Sequence, residues 1–251
     1  MIEQILQDKR AEVARLDERL LRNVRPSTRD LRFSLGTGRQ GLSLFAEFKR
    51  RDPHAGNIDR ELDIVAWAEA LQQLGVGALV VTTESRHWGG SRDDLIALER
   101  HGVQIPLVRN DFIIEELQLY ESRAAGADAV FLRPSLLDDN QLQSSLRIVQ
   151  SMHMTGIPLV GSQADLDRVL PLDVPVLALS NRNLESGHVD LHSTLEMAAQ
   201  IPASRSVIAC FGIQSAADIR QLQGHVDAIC LGSGLLRAED PAAFLTQLIQ
   251  P

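Results

Sequence analysis

Three features of this 251-residue sequence predict a (β/α)8 TIM barrel with an extra N-terminal helix: eight short apolar runs, an amphipathic segment after each, and uniform composition throughout. A doubly wound open sheet uses the same alternation and is the competing prediction. No low-complexity tract or composition break divides the chain, so residues 1–251 are expected to form one domain. Within it, residues 1–42 are read as a helical extension and connector.

The chain opens with MIEQILQDKRAEVARLDERLL, in which Ile2, Ile5, Leu6, Val13, Leu16 and Leu20 recur at helical spacing with charges between them. That pattern predicts an amphipathic helix over residues 1–23. The Arg-, Ser- and Gly-rich stretch 24–42 reads as its connector. The apolar runs are SLFAEF (43–48), ALVVTT (78–83), IPLVR (105–109), AVFLR (129–133), IPLVG (157–161), PVLALS (175–180), SVIAC (206–210) and DAICLG (227–232). Each is too short and too continuously apolar for a half-solvated antiparallel strand, and parallel strands covered on both faces read this way. Helical patterns follow near 62–74, 93–101, 114–124, 139–153, 164–170, 190–200, 215–223 and 240–249. Ser91 before RDDL and Asp190 before LHSTL supply N-caps.

The formal net charge is −8 with no basic run, which argues against nucleic acid or an anionic membrane as partner, since both need clustered Lys and Arg. Cys210 and Cys230 are the only cysteines, and neither has a metal or redox spacing, so a reducing cytoplasm is the expected compartment and no metal is expected. The N-terminus lacks the apolar core of a signal peptide and no stretch approaches a membrane span. The chain is expected to act as a monomer or homodimer.

A barrel of this kind carries its function at the C-terminal strand ends. In SLFAEFK, Phe45, Glu47 and Lys49 are two apart and share one face, so a carboxylate and an amine project together into the mouth. They can exchange protons or hold an anionic ligand, each tuning the other; the alternative is a structural ion pair at the rim. Gly212, after the seventh strand, and Gly232 and Ser233, after the eighth, set backbone amides side by side where barrels often bind phosphate.

Six segments then match a known family in order: AEFKRRDPHAG (46–56), WGGSRDDL (88–95), IPLVRNDFII (105–114), GADAVFLRPSLLDDNQL (126–142), SNRNLESGHVDLHSTL (180–195) and LGSGLLRAEDPAAFL (231–245). Through them the chain resembles indole-3-glycerol phosphate synthase over nearly its whole length. The resemblance implies a (β/α)8 barrel with a leading helix and no metal or organic cofactor. It also implies a substrate that is an anthranilate-derived aminodeoxyribulose 5-phosphate, ring-closed, decarboxylated and dehydrated to indole-3-glycerol phosphate. It assigns Glu47 and Lys49 to the catalytic glutamate and lysine, Arg182 and Asn183 to substrate contact, and Gly212, Gly232 and Ser233 to the phosphate cradle.

Several positions depart from the family pattern. Asn110 replaces the lysine that serves as general acid, and Gly161 the glutamate that serves as general base. Ser180 replaces an asparagine, Cys210 and Phe211 replace a glutamate and a serine, and Asp52, Pro53 and His54 replace the family's SPS. Proton transfer by one positioned group contributes about 10²- to 10⁴-fold, so losing both acid and base argues against synthase turnover at a physiological rate. The changes cluster at strand ends and spare the apolar interiors, which argues for altered chemistry on a retained fold. Arg133 stands where the family has an apolar residue and is a candidate to bind a carboxylate or a second phosphate; a rim arginine turned to solvent is equally consistent. Cys210 reads as a buried inert thiol before a nucleophile. His54 and His87 are candidate loop acids or bases, and Trp88 and Phe211 would make the mouth more apolar. Three functions follow as expectations: a divergent enzyme acting on a phosphorylated sugar derivative through Glu47 and Lys49, a non-catalytic ligand- or protein-binding member, or, as the weakest, a true indole-3-glycerol phosphate synthase of tryptophan biosynthesis in which another group compensates for Asn110.

Overall fold

The computed structural model describes residues 1–17, 19, 24–36, 41–54, 56–58 and 62–249. Helix α1 (Ile2–Val13) ends ten residues before the expected limit, and Leu20 lies outside the described residues. Only Ile5 and Lys9 of this helix are buried. Helices in proteins are held mainly by the face they bury, so this one stops soon after its anchors do.

Strand β1 (Ser43–Phe48) runs into a short antiparallel ribbon of β2 (Arg51–Asp52) and β3 (Gly56–Asn57). The other barrel strands are β4 (Ala78–Thr82), β5 (Leu107–Asn110), β6 (Ala129–Leu132), β7 (Thr155–Val160), β8 (Val176–Ser180), β9 (Ser206–Cys210) and β10 (Ala228–Leu231). They close in the order β1-β10-β9-β8-β7-β6-β5-β4, every neighbour parallel, so the open-sheet alternative is excluded. Around them lie α2 (Ile64–Gln73), α3 (Arg92–His101), α4 (Leu117–Ala124), α5 (Asp139–Ser151), α6 (Gln163–Val169), α7 (Leu191–Ala198), α8 (Ala216–Leu222), α9 (Ser233–Leu236) and α10 (Pro241–Ile249). The expected caps form: Ser91 accepts from the Asp93 amide and Asp190 from the Ser193 amide.

Strand side chains alternate between two apolar layers. Phe45, Val80, Val108, Phe131, Leu159, Ala178, Ile208 and Cys230 fill the barrel interior, with Leu31 packed against them. Ala46, Leu79, Leu107, Val130, Val160, Leu177, Ala209 and Ile229 pack outward under the helices. Counting two residues on from each interior residue gives the inward-facing positions at the mouth: Glu47, Thr82, Asn110, Arg133, Gly161, Ser180, Cys210 and Gly232. Arg109 and Asp111 have the opposite parity.

That parity separates two sets of charges. Arg109, fully buried on the outer face, donates to Thr83 Oγ1 at 2.9 Å, Glu121 of α4 at 2.9 Å and Asp111 at 2.8 Å. Lys9 of α1 reaches the other oxygen of Asp111 at 2.8 Å. Burial alone would raise the Asp111 carboxyl, but Arg109 and Lys9 outweigh it and hold it well below the usual range. The leading helix is thus fastened to β5 by a buried ion pair. Removing one partner of such a pair leaves a charge in an apolar place and costs about 3–5 kcal/mol, here reduced because Arg109 remains. We expect Lys9→Met to lower unfolding free energy by about 2 kcal/mol or more in urea titration, whereas Lys9→Arg retains most of it.

Candidate active site

The mouth is a cleft of about 790 Å³, part of it open to solvent, lined among others by Glu47, Lys49, Asp52, Asn110, Arg133 and Ser233. Its floor is Glu47. One carboxylate oxygen accepts from Lys49 Nζ at 2.7 Å, and the other from Thr82 Oγ1 at 3.0 Å and Asn110 Nδ2 at 3.1 Å. Lys49 also meets Asp52 at 3.2 Å. Burial would pull the Lys49 ammonium down, but Glu47 and Asp52 outweigh it and keep it above the ordinary lysine value. A β-carbon on Gly232 would stand 2.4 Å from Glu47 Oε2, so glycine there makes room for the pair.

Asp52 collects a complete donor set. Besides Lys49 it accepts from Ser233 Oγ at 3.0 Å, from the His54 amide at 3.0 Å, and from Arg182 at 3.3 Å. Burial acts to raise this carboxyl, yet Lys49, the His54 amide and Arg182 together hold it far below the usual range. Arg133 has the opposite circumstances. Its guanidinium lies 5.0 Å over the Phe112 ring, and its Nη2 donates a long hydrogen bond to Asn110 Oδ1 at 3.5 Å. Nε is buried without a hydrogen-bond partner, and no carboxylate among the described residues pairs with it. Burial lowers its pKa to about 10.

The structure brings Glu47, Lys49, Asn110, Arg133, Ser180, Arg182, Phe211, Gly212, Gly232, Ser233 and His54 to one cleft. Others expected there are not part of its lining. Asn183 is exposed and its Oδ1 accepts from the Glu185 and Ser186 amides and the Ser186 hydroxyl, so it shapes its own loop instead of lining the cleft. Cys210 is buried in the barrel interior beside Cys230, as the inert-thiol reading expects. Gly161 is exposed at the end of β7, outside the lining. Arg133 points inward, so the solvent-facing alternative fails. His87 is held in its own loop by Glu84, which also accepts the His87 and Trp88 amides. His54 reaches across the mouth to the Leu184 carbonyl at 3.1 Å, in space left by Gly187.

Two residues were missed in the sequence. Thr82 is signalled by strand parity from Val80. Asn181, buried and donating to the Cys210 and Phe211 carbonyls, follows a strand end and gives no such signal. Phe211 itself adopts a left-handed φ of 66° and sits with its ring 5.9 Å from Lys49 Nζ.

The family model described as indole-3-glycerol phosphate synthase matches residues 2–248. An indole-3-glycerol phosphate synthase of Crocosphaera subtropica is 33% identical and covers 99% of this chain and 89% of its own length; one from Rippkaea orientalis is 34% identical with the same coverage. Among solved structures, 3-hexulose-6-phosphate synthase from Salmonella typhimurium has a TM-score of 0.64 at 16% identity, covering 82% of this chain and 96% of its own. Tryptophan synthase subunit alpha from Legionella pneumophila has 0.60 at 17%, with 84% and 92% covered. At these identities the structures share the fold.

Two outcomes test this geometry. Gly232→Ala is expected to displace the Glu47 carboxylate and destabilise the protein by about 1–3 kcal/mol, read by thermal unfolding. Because the folded Asp52 carboxyl lies below its unfolded value, its contribution is complete above about pH 4 and is lost as pH falls further. Asp52→Asn should therefore flatten the acid limb of a melting-temperature profile.

Proposed function

Because the chain belongs to the indole-3-glycerol phosphate synthase family, we propose that it binds a phosphorylated sugar derivative in the barrel mouth and acts on it by lyase- or isomerase-type acid–base chemistry. This chemistry centres on Glu47 and Lys49 and is changed from the family's ring closure and decarboxylation. The observation that supports this most directly is the buried Glu47–Lys49 pair at 2.7 Å on the floor of the cleft. A carboxylate beside a fixed ammonium suits proton abstraction next to a carbonyl. Glu47 takes the proton, and Lys49 faces the oxygen on which negative charge develops. Lys49, held protonated by its two carboxylates, acts here by its charge. Arg182, Gly212, Gly232 and Ser233 line the same cleft, with Asn183 outside it. No metal or organic cofactor enters this scheme, in which a cytoplasmic monomer or homodimer acts on a diffusible small molecule.

The ring closure of the family needs more than this pair. Asn110 carries no titratable proton near neutrality; it gives its amide to Glu47. Gly161 offers no side chain, and an added β-carbon there would meet only Asp165 at 3.7 Å. A second reading, that the chain binds a ligand without turning it over, is favoured by the way Lys49 is clamped between Glu47 and Asp52. Unchanged family activity, with Asn110 compensated by another group, is the weakest of the three.

One assay separates them: turnover of the anthranilate-derived ribulose phosphate, followed by the fluorescence of the indole product. The purified protein should be slower than an intact family member by about 10²-fold or more, and Asn110→Lys with Gly161→Glu should recover part of that loss. Family-like turnover by the unaltered chain would sink the proposal of changed chemistry. For whatever reaction the protein performs, Glu47→Gln and Lys49→Ala should each abolish it; turnover indifferent to both variants would overturn the assignment of the chemistry to this pair.

A further inference from the structure

An anion seat in a protein is recognised by converging donors and cations, and this mouth contains two such places in opposite states. At the first, an ammonium, a guanidinium, a hydroxyl and a backbone amide converge on one point: Lys49, Arg182, Ser233 and His54. The point is already filled by the chain's own Asp52 carboxylate. At the second, the Arg133 guanidinium is turned into the cleft by strand parity, with Nε buried and unpartnered and no carboxylate in salt-bridge range among the described residues. The Phe112 face returns part of its lost hydration as a cation–π contact but offers no acceptor.

We propose that Arg133 is the seat of the ligand's oxyanion, and that Asp52 closes the Ser233 end of the cleft to it. This rests on the reading above that the mouth takes a small anionic ligand, and it adds where the anion lies. A phosphate arriving at Ser233 would meet a carboxylate that already holds the donors it needs, so it would have to displace Asp52 or bind against its charge. At Arg133 the same group finds a half-buried cation with no carboxylate in salt-bridge range among the described residues, and planar bidentate contact to phosphate or carboxylate is what a guanidinium supplies. The lowered pKa of Arg133 agrees with this, because a bound oxyanion would restore it. Phe112 under the guanidinium and Trp88, whose ring packs at 5.5 Å on Phe112, give that end an apolar wall. It therefore suits an oxyanion carried on a flat or apolar frame as well as a sugar phosphate. In this mouth the anionic end of the ligand faces β6 instead of β10.

The test is equilibrium binding of inorganic phosphate, D-ribose 5-phosphate and benzoate, by calorimetry and thermal shift at constant ionic strength. The proteins are the wild type, Arg133→Leu, Arg133→Lys, Asp52→Ser and Asp52→Asn. At least one probe should bind the wild type at millimolar concentration or below, and the stronger of the phosphate and benzoate arms identifies the oxyanion. Arg133→Leu should weaken that probe about tenfold or more, with Arg133→Lys between. Arg133→Leu without ligand should also melt higher than the wild type, because a half-buried cation without a salt-bridge partner has become an apolar side chain. Both Asp52 variants should bind the two phosphate probes about tenfold more tightly. Equal affinity in wild type and Arg133→Leu, or no binding of any probe to the wild type, would overturn the Arg133 assignment. Unchanged phosphate affinity in both Asp52 variants would overturn the role of Asp52. All these readouts are binding, so their failure is distinct from a failure of the Glu47 and Lys49 turnover test.

Discussion

Lys49 keeps two carboxylates, Glu47 and Asp52, out of water at the centre of the barrel mouth, and most of the site's other features follow from that arrangement. Two carboxylates around one ammonium leave an excess negative charge in a buried place, and Arg182 answers it from the loop after β8. The remaining lone pairs need donors, which Thr82, Asn110, Ser233 and the His54 amide provide. Glycine at 232 is then a steric necessity. In this chain that residue does as much to admit Glu47 as it could do to expose a backbone amide.

Strand parity divides the charges of the chain into those that hold it together and those that face a ligand. VRND shows both within four residues. Arg109 turns outward and, with Asp111 two residues on, ties β5 to α4 and α1; Asn110 between them turns inward and serves Glu47. The inward positions hold the residues expected from the sequence to depart from the family pattern, while the outward network and the apolar layers keep the frame. A barrel permits this because its interior packing and its mouth are built from different rungs of the same strands.

Much of this was legible in the sequence. The apolar runs located the strands to within two residues, and SLFAEFK placed Glu47 and Lys49 together because alternation is a local property. The same rule, carried from Phe131 to Arg133, settles that the arginine points inward. What could not be read is what each charge meets. Asp52 lies 130 residues from Arg182 and 181 from Ser233, so no spacing announces that it fills an anion seat. Asn183 and Asn181 show the limit at loops, where a two-residue offset exchanges an exposed turn former for a buried one. The first helix was overread because its spacing continued beyond the residues that bury.

The loops after β1 and β8 are laced together over one side of the mouth, by Asp52 with Arg182 and by His54 with the Leu184 carbonyl. Neither contact belongs to the rigid barrel, and both span strands that are not neighbours in the closed sheet. They act as a seam. A ligand passing on that side has to part an ion pair and a hydrogen bond that water and salt also compete for, so its residence time is set by the seam as well as by its own contacts.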